Sequence, residues 1–263
     1  MDLKLTGKRA LICGGSSGLG QAVATALVAE GAHVALLSRD AAKLQAVADA
    51  LNAMGPGRAV IAPADMADHG SLMIAVDVAE AALGGPIEIL LNNTGGPPPS
   101  GVAGLDPDLW QAQFEAMVLS VFRLTDRVLP GMRAAGWGRI LNVASVSAVE
   151  PIGTLGVSNT LRAAVAAWAK TLASEVAADG ITVNTLLPGR IDTPRIARLD
   201  KAAAERRGVS PEQARADSVN AIPVGRLGTT DEFGAVAAFL ASPHSAYVTG
   251  SMIRLDGGSV RAI

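Results

Sequence analysis

One tyrosine, one cysteine and three histidines occur in 263 residues, and aromatic residues make up only 3% of the chain. A lone thiol excludes an intrachain disulfide and points to a reducing compartment, so a cytoplasmic location is expected. Cys13 stands in the apolar run Ala10-Leu11-Ile12-Cys13 and reads as a small buried hydrophobe rather than a nucleophile. The histidines show no ligand spacing, so no metal is expected. Neither sign of charge is in excess, with 22 Lys plus Arg against 24 Asp plus Glu and a formal net charge of -2. That balance supplies no field for gathering nucleic acid or an anionic membrane, and neither is expected as a partner. Long hydrophobic runs are missing too. No segment approaches the roughly 20 residues of a membrane span, and residues 1–8 hold no stretch of signal-peptide length.

What is abundant is glycine, at 29 residues, within a composition that is 49% hydrophobic. Size scaling for a chain of this mass gives about 11,000 Å² of folded surface, so a core without staples is expected. Short apolar runs at residues 9–13, 33–37, 59–62, 87–91, 139–143, 181–186 and 252–255 suit strands covered on both faces. Longer periodic segments such as 19–30, 41–53 and 70–83 lie between them and suit crossover helices. The alternation predicts one doubly wound α/β domain of Rossmann type with a parallel sheet over residues 1–263.

Over 155–178 the apolar residues Leu161, Val165, Trp168, Leu172 and Val176 recur every three or four positions, which predicts one buried helical stripe. Ser158 and Arg162 are four apart on a neighbouring face and can reach a common site. Asp179-Gly180 offers a stop. Residues 193–223 break the rhythm with Arg195, Arg198, Asp200, Arg206 and Arg207, and with a second helix start at Ser210-Pro211. This segment predicts one or two amphipathic helices outside the sheet, serving as a lid over the site or as a surface for subunit contact.

Chemistry first shows at Gly14-Gly15-Ser16-Ser17-Gly18-Leu19-Gly20, between the first predicted strand and its helix. Glycines let the backbone approach a ligand closely, and the free amides at a helix start attract diphosphate. About 20 residues later the second strand ends at Ser38-Arg39-Asp40, where an acid normally accepts the ribose hydroxyls. A neutral Ser38 and a cationic Arg39 favour NADP over NAD, because arginine pairs with the additional phosphate. Asp40 reads as a cap for the next helix.

Taken in order, these motifs resemble the classical short-chain dehydrogenase/reductase family over residues 5–263. The family's T-G-x-x-x-G-x-G loop matches residues 13–20, with Cys13 for threonine. Its adenine-side aspartate resembles Asp65, followed by Met66, and its N-N-A-G strand end resembles Asn92-Asn93-Thr94-Gly95. Its P-G-x-x-x-T segment, which faces the nicotinamide, is matched by Pro188-Gly189-Arg190-Ile191-Asp192-Thr193. The resemblance implies cofactor contacts from Gly14, Ser16, Ser17, Gly18, Leu19, Gly20, Ser38, Arg39, Asp65, Met66, Asn92, Gly95, Arg162, Pro188, Gly189, Ile191 and Thr193. It also implies a homodimer or homotetramer.

The reacting end departs from the pattern. Related enzymes use serine to hold the carbonyl oxygen, tyrosine to pass the proton and lysine to bind ribose and lower the tyrosine pKa. Ser145 matches that serine; the expected Y-x-x-x-K reads Ser158-Asn159-Thr160-Leu161-Arg162, and Met117 falls where a supporting asparagine belongs. A serine hydroxyl has no titration near neutrality, and a guanidinium stays protonated, so neither substitution is conservative. Losing general acid catalysis costs about 10² to 10⁴ in rate, which slows a reductase without forbidding one. Glu150 and Asp192 are alternative acids, though each also reads as a solvated loop carboxylate. The leading expectation is an oxidoreductase interconverting a carbonyl and an alcohol of a small molecule with NADP(H), its catalytic residues being Ser145, Ser158 and Arg162. Two alternatives stand beside it: a nucleotide-binding regulatory or structural protein without turnover, and a non-redox lyase or hydratase. Residues read without the family give Ser158 as a helix-start serine and Arg162 as a snorkelling arginine.

Overall fold

The computed structural model describes residues 1–262; residue 263 lies outside them. One sheet of seven strands forms the centre: β1 Arg9–Cys13, β2 His33–Leu37, β3 Arg58–Ile61, β4 Ile89–Asn92, β5 Gly138–Val143, β6 Ile181–Pro188 and β7 Met252–Leu255. Their spatial order is β3-β2-β1-β4-β5-β6-β7, and every pair is parallel. The chain winds from β1 to one edge, returns, and winds from β4 to the other. The reversal opens a crevice between the carboxyl ends of β1 and β4, where open α/β sheets bind their ligands. The runs at 9–13, 33–37 and 252–255 coincide with β1, β2 and β7, and the ends of the other four differ by one or two residues.

Period-two alternation decides which side chain enters which layer. On β1, Ala10 and Ile12 join one core layer and Leu11 and Cys13 the other, and all four are fully buried. The first layer lies under α1 Gly18–Ala29, α2 Ala41–Asn52 and α9 Thr230–Ala241, through Val23, Leu27, Leu44 and Phe233. The second lies under α3 His69–Leu83, α5 Ser120–Ala135 and α6 Gly156–Val176, through Leu72, Val76, Leu124, Val128 and Leu172. Each such leucine contributes about 1.5–3 kcal/mol relative to exposure, so losing one layer would unfold the domain. The accessible surface is 11551 Å², close to the size-scaling expectation.

Along α6 the expected stripe is buried at Leu161, Val165, Leu172 and Val176, while Trp168 stays partly exposed and stacks on Phe122 at 4.4 Å. Left-handed Gly180, at φ 75°, ends the segment. Between β4 and β5 the helix is not continuous. The α-helix α4, Pro107–Phe114, passes through a π-helical turn at Glu115–Leu119 before α5 begins, and this turn buries Met117 and Val118. An extra residue per turn shifts the inward face, a device often found beside functional sites.

Residues 193–223 form two helices outside the sheet, α7 Pro194–Arg207 and α8 Pro211–Asn220. Thr193 and Ser210 cap them, accepting from the amides of Ile196 and Gln213, and proline opens each. Both helices bury little, α7 only Asp200 and Ala204 and α8 only Ala214, and α8 lacks a distinct apolar face. Ion pairs hold the excursion instead: Arg190 with Asp200, Arg215 with Asp192 at 3.1 Å, and Arg207 with Asp217. Among the described residues, no helix is long and apolar enough to cross a membrane.

Candidate active site

The crevice begins where β1 ends. Gly14 and Gly18 take φ of 66° and 58°, a region that disfavours side chains, and a Cβ on Gly20 would lie 2.2 Å from the Gly14 carbonyl oxygen. Ser17 occupies the N-cap of α1 without a side-chain cap bond, so the first amides of that helix remain open to an anion. Asn93 donates from Nδ2 to the Cys13 carbonyl at 3.2 Å and so ties the end of β4 to the end of β1 across the switch point. The doubled Asn92-Asn93 at a strand end is the signal of this lock in the sequence, a side chain satisfying a strand-end carbonyl. Burial pushes the Cys13 thiol up to about 12, leaving an inert side chain under the loop.

At the end of β2 the Ser38 hydroxyl is buried without a hydrogen-bond partner. Beside it Arg39 extends into solvent, 78% exposed, with only a distant 3.9 Å approach to Asp65. An unpartnered hydroxyl and a solvent-exposed guanidinium at this position suit a phosphorylated ribose. Asp65 accepts from the Ala67 amide at 3.0 Å, while Met66 packs against the second core layer. Asp40 caps α2 as expected, accepting from Lys43. These glycines, open amides and polar atoms fit a dinucleotide.

On the other side of the crevice, the Gly189 amide donates to Leu255 at 3.0 Å, and a Cβ on Gly189 would lie 2.8 Å from Asp256 Cα. Pro188 closes β6, and Ile191 is buried against Gly228. Thr193 then starts α7 with its methyl facing Gly18, 3.5 Å from where a Cβ would stand there. The P-G-x-x-x-T segment therefore flanks the phosphate loop.

At the carboxyl ends of β4 and β5 stand the residues expected to react. Ser145 follows β5, half-buried, and accepts from the Ser147 amide at 3.1 Å. Ser158 is buried in the first turn of α6. Arg162, one turn on, directs its guanidinium to carbonyls at the strand ends. Its Nη1 donates to the Val143 carbonyl at 2.5 Å, and its Nη2 to the carbonyls of Gly95 at 3.0 Å and Thr94 at 3.4 Å. Burial, reinforced by Arg195, brings this guanidinium down to about 10, still charged at neutral pH. Asn92 likewise turns inward, its Nδ2 bound by Asn142 at 2.9 Å and Thr125 at 3.2 Å. Met117 helps line a cavity of about 10 Å³ with Thr94, Leu161 and Arg162, room for one water at most.

The alternative acids are engaged elsewhere. Glu150 accepts from the Arg261 amide at 3.2 Å, and Asp192 pairs with Arg215. No group of three potential ligands for a metal ion occurs among the described residues.

The family model described as enoyl-(acyl carrier protein) reductase matches residues 14–259. D-beta-hydroxybutyrate dehydrogenase of Cupriavidus necator is 34% identical over 261 residues, covering 97% of this chain and 99% of that protein. The chain belongs to the short-chain dehydrogenase/reductase family. A further relative is the 3-oxoacyl-(acyl-carrier-protein) reductase of Vibrio cholerae, 34% identical over 258 residues, with 97% and 98% of the two chains covered. Among solved structures, L-sorbose reductase from Gluconobacter frateurii complexed with NADPH and L-sorbose superposes with a TM-score of 0.94 at 31% identity, over all of both chains. Actinorhodin polyketide ketoreductase with NADPH gives 0.91 at 29%, over 97% of this chain and 98% of that one. As a short-chain dehydrogenase/reductase, this protein combines the family's parallel sheet and phosphate loop with Ser158 and Arg162 in the first turns of α6.

Proposed function

We propose that this short-chain dehydrogenase/reductase interconverts a carbonyl and an alcohol of a small molecule using NADP(H). The observation that carries the reading is the juxtaposition of an open phosphate loop and a solvent-exposed Arg39 with Ser145, at the carboxyl edge of one sheet. Solved relatives bearing NADPH support the choice of cofactor. Residues 14–20 would hold the diphosphate, Ser38 and Arg39 the 2′-phosphate end, Asp65 and Met66 the adenine side, and Gly95, residues 188–191 and Thr193 the nicotinamide end. When bound, NADP(H) supplies or accepts the hydride.

The protein's part is to hold the carbonyl oxygen and exclude competing water. Ser145 donates its hydroxyl proton in a hydrogen bond to that oxygen, and Ser158 stands in the position of the family's tyrosine. Neither hydroxyl titrates near neutrality, so the proton taken up by the alkoxide originates in solvent and turnover is slower than with a tyrosine. We assign Arg162 a positioning role, because its donors are directed to the strand-end carbonyls beneath the site. Purified protein mixed with NADPH and a carbonyl panel should lose absorbance at 340 nm in a substrate-dependent way. Tight NADPH binding with no loss above blank would instead favour the second reading, a nucleotide-binding protein without redox turnover. That reading is motivated by the absence of a titratable hydroxyl at position 158 and by the inward course of Arg162.

A further inference from the structure

Arg195 is the second residue of α7, directly after Pro194. Its Nη1 donates to the Gly96 carbonyl at 3.4 Å, while Arg162 donates to the preceding carbonyl, Gly95, at 3.0 Å. Two guanidiniums therefore hang on consecutive carbonyls just beyond β4. The seat is shaped for this, because a Cβ on Gly96 would lie 2.6 Å from Nη2 of Arg195. Both charges are withdrawn from water, and each is pushed below its ordinary value first by burial. The second cause is Arg195 in the case of Arg162, and Arg198 in the case of Arg195.

Three nearby arginines are neutralised, Arg190 by Asp200, Arg207 by Asp217 and Arg215 by Asp192, whereas Arg206 near the far end of α7 is not, among the described residues. Arg162, Arg195 and Arg198 make no ion pair among the described residues. Two like charges, Arg162 and Arg195, held on adjacent carbonyls and partly withdrawn from water with no ion pair to a carboxylate, are unfavourable until an anion arrives. Arg195 spends one nitrogen on a long bond to Gly96 and keeps the rest of its planar fork for a two-pronged contact with paired oxygens. The amino terminus of α7 adds potential of the same sign.

We propose that Arg195, seated on Gly96, receives an anionic oxygen group of the substrate, a carboxylate, beside the carbonyl being reduced. The inference rests on the reading of this cleft as the site where cofactor and substrate meet. The cofactor's diphosphate is the other possible source of such oxygens, but it has its own receiver in the open amides after Ser17, and the solvent-exposed Arg39 is assigned to the ribose phosphate. Arg195 lies over the β4 end instead.

The test compares the full chain with Arg195→Gln and Arg195→Lys, using short 3-oxo acids and their methyl esters as paired probes. Wild type should favour acid over ester in kcat/KM by at least about tenfold, the scale on which an unpaired buried charge is felt. Arg195→Gln should erase that preference mainly through KM, Arg195→Lys should restore part of it, and NADPH affinity should change by less than about twofold. Equal use of acid and ester by wild type, or equal losses on both in Arg195→Gln, would overturn the assignment. A parallel loss of NADPH affinity would overturn it too, by giving the contact to the diphosphate. Calorimetry of the same acids with the NADP⁺-loaded protein reads binding without turnover. Acid binding that is lost in Arg195→Gln while no probe is reduced would support the anion site and sink the reductase reading, whereas absent acid binding would overturn the anion site alone.

Discussion

Arg162 reaches from α6 to the carbonyl of Val143, the last residue of β5, at 2.5 Å, and so fixes the strand end from which Ser145 departs two residues later. With Gly95 and Thr94 bound by the same guanidinium, β4, β5 and α6 share one buried clamp. Arg162→Met leaves three carbonyls without their donor and should destabilise the fold by about 3 kcal/mol or more, at roughly 1–3 kcal/mol for each unsatisfied group. Arg162→Lys should cost less, because its ammonium can still serve part of the set. Urea unfolding measures both. A large loss of NADPH affinity with unchanged stability would show instead that the guanidinium serves the ribose.

Arg39 makes no close contact of its own, so its removal disturbs little structure. Arg39→Ala should weaken NADPH about ten- to hundredfold, the range of a hydrogen bond to a charged group, while NADH affinity stays level. Fluorescence titration with both cofactors decides this, and equal losses for the two would contradict the role.

Ser145→Ala should lower kcat by about 10² to 10³ without changing NADPH affinity, as expected when one donor to a developing oxyanion is lost. Ser158→Ala in parallel ranks the two hydroxyls. Cofactor affinity falling in step with kcat in the Ser145 variant would point to loop damage through the Ser147 amide, which Ser145 caps.

Gly20→Ala drives a methyl into the Gly14 carbonyl, 2.2 Å from where it must stand. The loop has to shift, and NADPH binding should fall by more than about a hundredfold while the far edge of the sheet stays folded. Calorimetry with circular dichroism separates the two effects, and wild-type affinity would refute the tight-turn geometry.

Stability should also respond to acid through Glu232. Arg226 beside it, with the Thr229 cap, holds its carboxyl down at about 2 from an ordinary 4.5. A carboxyl depressed in the folded state stabilises at pH above its unfolded value, and that contribution fades as pH falls from about 4.5 to about 2. The group is solvent-exposed, so the effect is small. The difference in Tm between wild type and Glu232→Gln should shrink across that window; a difference that is constant with pH would assign the effect to the cap geometry alone.

Much of the architecture was legible because it rests on local patterns. Runs such as 9–13 and 33–37 alternate between two core layers, and the glycines at 14, 18 and 20 meet steric demands that no other residue satisfies. Ser210-Pro211 and Asp40 announced helix starts for the same local reason. The π turn at Glu115–Leu119 was not legible, because it depends on what Met117 and Val118 pack against.

The sequence by itself determined the layers, the phosphate loop and the charge at position 39, since periodicity, turn sterics and residue type act within a few positions of the chain. Only the tertiary structure decided where Arg162 and Asn92 point, which acids are already engaged, and that Arg195 comes to rest on Gly96, 99 residues away. Long flexible side chains choose their partners by burial and by the carbonyls left open at strand ends, and those exist only once the sheet has assembled.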